Sequence, residues 1–152
     1  MNRWMEIACD EAVSGMEAND GGPFGAVIVR NGEVIARAHN EVLSSNDPTA
    51  HAEILAIRRA SAVLGNFDLS ECILYTTCYP CPMCMGAVLW ARIPAVYYGA
   101  TREDAAAGGF DDAHFYTMIQ NPQSALNLRP LDTENAKSVF AKWLSKENRR
   151  YY

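Results

Sequence analysis

The chain has 152 residues, 49% of them apolar and 20% charged, and its 13 basic and 18 acidic side chains leave a net charge of −5. That length and balance suit one globular domain with a full core and exclude a disordered chain. No apolar run approaches the roughly 20 residues of a membrane span, and a net negative body has no general attraction for a phosphate backbone, so neither a membrane nor a nucleic acid is an expected partner.

The opening stretch MNRWMEIACDEAV carries acidic residues early and shows no apolar signal-peptide core. Five cysteines, an odd number without a spaced framework, indicate reduced thiols and a cytoplasmic setting. Helical spacing from about Trp4 to Ala18 puts Trp4, Ile7, Ala8, Ala12 and Gly15 on one stripe, with Cys9 read as helix core. A glycine-rich entry then leads to a strand at Phe24–Val29, Asn31-Gly32 turns the chain, and Glu33–Ala38 returns as the second arm of a hairpin. In SSNDPTAHAEILAIRRASAVLG, Pro48 stands near a helix start and Gly65 marks its stop. Cys72–Thr76 reads as a short buried strand with Cys72 in the core. Pro82–Arg92 reads as a helix ended before Pro94, and Ala95–Ala100 as another strand.

The stretch TREDAAAGGFDDAHFYTMI is expected to fold into short helices. A last helix at about Thr133–Ser145 spaces Ala136, Val139, Phe140, Trp143 and Leu144 for a buried face. Its cations, from Lys137 to Arg150, read as a solvated face favoured by the helix dipole. The order αββαβαβ with a helical tail describes a single α/β domain over 1–152, a mixed sheet with helices on both faces.

The chemistry concentrates in TTCYPCPMCMG, Thr76–Gly86. A bare Cys-x-x-Cys reads as a redox pair, half of a structural zinc site, or part of a catalytic metal site. A redox pair would follow the first strand of a thioredoxin-like unit, whereas this one follows at least three strands. A structural zinc needs four protein ligands, and neither a second Cys-x-x-Cys nor a His pair is present. A catalytic zinc needs three, and TAHAEIL offers His51 as the third, with Glu53 two residues on. Pro82 in the first turn of a helix costs little because its missing N–H is unpaired there anyway. Cys81 and Cys84 then meet at the positive end of that helix, where the thiolate is favoured. His51 and Glu53 can serve the same site only if His51 sits at the very start of its own helix. Cys78 is read as packing beside the site.

His-x-Glu followed by Pro-Cys-x-x-Cys is the signature of zinc nucleobase deaminases. Through GGPFGAVIV, SNDPTAHAE, LYTTCYPCPMCMGAVLWAR and GFDD, nearly the whole chain resembles the cytidine-deaminase-like superfamily and, within it, the small guanine deaminases. The resemblance implies a three-layer α/β/α fold with a five-stranded mixed sheet. It implies one zinc per chain on His51, Cys81 and Cys84, with Glu53 as proton carrier rather than ligand. It further implies that Asp112 contacts the base or assists proton transfer, while Asp111 keeps a helix-capping role. Phe24, Asn40, Ala52, Trp90 and Tyr152 are implied around the base. The expected reaction is hydrolysis of a free purine base, guanine to xanthine and ammonia. A tRNA adenosine deaminase, or a deaminase of a related aminopurine, guanosine or aminotriazine, is the alternative. The resemblance also implies a homodimer in which segment 131–152 is exchanged to cover the partner's site. Tyr79 stands where the family often has Glu, which leaves the pocket shape and exact substrate open.

Overall fold

The computed structural model describes residues 2–152. Asn2 begins the first helix, α1 (Arg3–Glu17), by accepting from the Trp4 and Met5 amides through its side-chain oxygen. Strands β1 (Gly25–Arg30) and β2 (Glu33–His39) form the expected hairpin, with positive φ at both Asn31 and Gly32 as a two-residue type I′ turn requires. A short helix, α2 (Val42–Ser45), precedes α3 (Ala52–Leu64), which leads to β3 (Cys72–Cys78). Helix α4 (Pro82–Trp90) carries the chain over to β4 (Ala95–Ala100), parallel to β3. The sheet order is β2-β1-β3-β4, with β1 antiparallel to both neighbours.

The sheet has helices on both faces. Val27 and Val29 of β1 pack with Ala8 of α1 on one side. Ala26 and Ile28 point to the other, against a core built with α3 and α4. Ala52, Ala56 and Ala60, one helical turn apart, meet Ala36 and Ala38 of β2. Small side chains on both surfaces let α3 lie close to the sheet, so a larger residue at Ala56 would overpack it by about 1–3 kcal/mol. Along β3, Cys72, Leu74, Thr76 and Cys78 alternate inward.

Three expectations are corrected. The sheet among the described residues has four strands, not five. After β4 the chain forms α5 (Arg102–Ala107), α6 (Ala113–Gln120), α7 (Pro122–Leu126) and α8 (Thr133–Ser145). Between α7 and α8 the chain forms no strand: Asn127 and Asp132 are left-handed, each with φ of 50°, and Pro130 between them has no N–H for a ladder. The apolar stripe of α8 is not buried, since Val139, Phe140 and Leu144 face outward and Trp143 is only half-buried. Cys9 is exposed, because it lies one position off the buried Ala8–Ala12–Gly15 stripe. No helix is long and apolar enough to cross a membrane.

Candidate active site

The starts of two helices converge. His51 is the N-cap residue of α3 and Cys81 that of α4, both extended in backbone, with Pro82 in the first turn of α4. The Asp47 carboxylate shapes the approach to His51 by accepting from the backbone and hydroxyl of Thr49. His51 Nδ1 lies 3.6 Å from Cys81 Sγ and 3.6 Å from Cys84 Sγ, and the three ligand atoms lie within 4.8 Å of one another. Two helix N-termini therefore aim their dipoles at the pair of sulfurs.

The electrostatics fit a divalent cation. The Cys84 thiol donates to Cys81, and this bond, with help from His51, pulls Cys81 down to about 4 despite burial. The same shared proton pushes Cys84 up. His51 is raised, chiefly by its bond to Cys81. A soft S/S/N donor set of this kind suits zinc. Cys78 is not part of the triangle. It is buried, its thiol rises to about 11 through burial, and it points at the Thr101 carbonyl 3.6 Å away.

Glu53 lies in the first turn of α3 and is only 5% exposed. Its Oε1 accepts from Thr76 Oγ1 at 2.9 Å, and its Oε2 lies 3.4 Å from Cys84 Sγ. Burial raises its pKa. The carboxylate thus stands beside the ligands with one oxygen fixed and the other facing them. Thr76 escaped the sequence reading, because a threonine in β3 reads as an ordinary strand former. Its only signal was polarity at an inward position of an alternating strand.

A cavity of about 490 Å³ opens over this group, reached by His51, Glu53 and Cys81 and walled by Phe24, Asn40 and Asp112 among others. Phe24 meets Phe110 edge to face at 5.0 Å. Asn40 is 5% exposed, and its side-chain oxygen accepts from the Val42 amide, so the turn role and the cavity position coexist. Asp112 occupies the N-cap position of α6 yet makes no capping bond, and burial raises its pKa. Asp111 does not cap either; its carboxylate lies 3.8 Å from the ring of His114. Tyr79 lines the cavity and packs on Tyr98 and Tyr116 beneath the Arg102 guanidinium. The Tyr116 hydroxyl donates to the Pro80 carbonyl at 2.5 Å, which ties α6 to the cysteine loop.

Three expected residues lie elsewhere. Ala52 is wholly buried in the core behind the site. Trp90 ends α4 with its ring exposed, and Tyr152 lies against it at 5.6 Å and against Phe67 at 6.3 Å. Neither aromatic lines the cavity of its own chain.

Residues 1–100 match the family model of the cytidine and deoxycytidylate deaminase zinc-binding region. The chain is 46% identical to the guanine deaminase of Bacillus subtilis (strain 168) over 154 aligned positions, covering 100% of this chain and 96% of that protein. The crystal structure of guanine deaminase from Bacillus subtilis superposes with a TM-score of 0.95, covering 100% of this chain and 99% of that one. A tRNA-specific adenosine deaminase of Buchnera aphidicola is 38% identical, covering 78% of each chain.

Proposed function

Because this chain belongs to the cytidine and deoxycytidylate deaminase family, we propose that it hydrolyses the exocyclic amine of a free purine base, converting guanine and water to xanthine and ammonia. The observation that carries the reading is Glu53, a buried carboxylate held by Thr76 between the His51–Cys81–Cys84 triangle and a largely apolar cavity. His51, Cys81 and Cys84 would hold one zinc ion per chain, which when bound would make water a nucleophile near neutral pH.

The chain's own residues handle the protons. Glu53 accepts one from the attacking water and passes it to the ring nitrogen beside the carbon that is attacked. It then takes the second proton from the added hydroxyl and delivers it to the amine, which leaves as ammonia as the carbonyl forms. Burial raises its pKa, which favours carrying the proton between these steps. Thr76, donating to Oε1, keeps the working oxygen aimed at the reacting centre. Phe24 and Phe110 form an apolar wall for a planar base. Asn40 offers its amide N–H groups to a base edge, and Asp112 accepts from a base N–H or assists proton transfer.

The net charge of −5 counts against a phosphate-binding surface for tRNA. The finer assembly follows from the tail. The outward apolar faces of α8, together with Tyr152 lying outside its own cavity, support a homodimer in which segment 131–152 covers the partner's site. Ammonia release measured across guanine, guanosine, adenine, cytosine, ammeline and a tRNA anticodon stem tests the assignment. Guanine should be the preferred substrate, and preference for the tRNA would overturn the reading.

A further inference from the structure

His39 ends β2 one residue before Asn40, and no step above uses it. Its imidazole is mostly covered, with Nδ1 3.1 Å from Glu11 Oε2 on α1 and Nε2 2.9 Å from Asp20 Oδ2 in the loop before β1. Arg37 of β2 completes the charged surroundings by pairing with the other oxygen of Glu11 at 3.0 Å. A neutral imidazole has one N–H and one lone pair, so it can donate to only one carboxylate. Two carboxylates at these distances are both satisfied only by the imidazolium. α1 leaves room for the ring, because a Cβ on Gly15 would overlap it.

The clamp bears on the cavity through Asp20. The Asp20 carbonyl accepts from the Leu43 and Ser44 amides at 2.9 and 3.0 Å, which fixes α2. Gly21 lies so close to Asn40 that a Cβ there would collide with the Asn40 side chain, and the Asn40 backbone N–H donates to the Phe24 carbonyl at 3.0 Å. The loop from Asp20 to Phe24 therefore forms one cavity wall and the support under Asn40.

We propose that His39 is a positioning residue for purine binding: donating from both ring nitrogens, it clamps Asp20 to Glu11 and holds the loop from Asp20 to Phe24 against Asn40 in the shape that receives the base. The role rests on the purine reading of the cavity. Burial lowers the pKa of His39, but the hydrogen bonds and charges of Glu11 and Asp20 outweigh it, and the net direction is upward from 6.5. The clamp is therefore intact below that raised value and released as pH climbs through it, when one carboxylate comes to face a lone pair. Its loss weakens base binding and leaves the proton-transfer groups in place.

The test is the pH dependence of KM and kcat for guanine in zinc-loaded wild type, His39→Gln and Asp20→Asn between about pH 6 and 8.5, with an NMR titration of the His39 ring. In wild type, KM should rise at least about threefold as the ring loses its proton, with kcat following the same profile in all three proteins. His39→Gln should show the raised KM already at the acid end. Asp20→Asn, whose amide can donate to a neutral ring nitrogen, should lose the pH step and lower the ring's titration point. Zinc content and melting temperature establish that each variant is folded. A His39→Gln protein with wild-type KM at the acid end, or with a defect in kcat alone, overturns the role. A ring that titrates below 6.5 overturns the clamp itself. If wild type shows no guanine turnover, the purine reading falls and this role with it, whereas turnover with a KM ratio constant in pH removes the role alone.

Discussion

Residues 3–100 and residues 113–152 bury their apolar side chains by different rules. In the first region α1, α3 and α4 find the sheet within the same chain, and Ala8, Ile28, Leu74 and Cys84 are wholly covered. In the second, helices α6, α7 and α8 contain no buried residue, and Leu131 and Phe140 are 90% and 71% exposed. Both regions carry amphipathic spacing. The difference teaches that periodicity announces a face to be covered without saying what will cover it. The first region holds its chemistry on preorganised helix starts, and the second presents a surface that a single chain leaves open.

Substitutions can break this contrast. The largest effect is expected within the body: Cys84→Ala should abolish zinc binding and turnover and lower the melting temperature, because the ligands tie the starts of α3 and α4 together. Metal analysis showing a full zinc complement in that variant would refute the assignment. Removing Asn148 to Tyr152 should act quite differently. Zinc content and melting temperature should stay near wild type while guanine turnover falls by at least about tenfold, equivalent to about 1.4 kcal/mol of transition-state stabilisation. Unchanged kinetics in the truncated protein would mean that the tail covers nothing. The smallest effect should come from Thr76→Val. Removing the hydroxyl leaves the buried Glu53 oxygen without its donor, a loss of about 1–3 kcal/mol, read as reduced stability and several-fold slower turnover with zinc retained. A variant matching wild type in both would show that the bond does not hold Glu53 in place.

The legible parts of the fold are those whose signals are local. Asn31-Gly32 announces the hairpin because both residues tolerate positive φ, and Pro82 announces a helix start beside two cysteines. The His51, Cys81 and Cys84 triangle was readable because each ligand stands at such a start, so spacing and helix geometry together bring the three atoms to one point. Thr76 was not readable, since the carboxylate it serves lies 23 residues earlier on another element. The His39 clamp is hidden for the same reason, with partners 28 and 19 residues away on α1 and a loop. The expected fifth strand rested on the family resemblance alone, with no stretch of alternating residues to locate it, and four strands are paired among the described residues. The stripe of α8 is legible as a face made for burial, but within its own chain that face stays exposed.

The central claim is that Glu53 carries the protons of guanine hydrolysis. Xanthine formation by wild type and by Glu53→Gln, each loaded with zinc and matched for metal content, tests it most directly. The amide keeps the shape of the side chain and cannot carry the proton. The variant should therefore retain zinc and fold while losing roughly a hundred- to ten-thousand-fold in turnover. A zinc-replete Glu53→Gln protein working within tenfold of wild type, or a wild-type protein that forms no xanthine from guanine, would contradict the account.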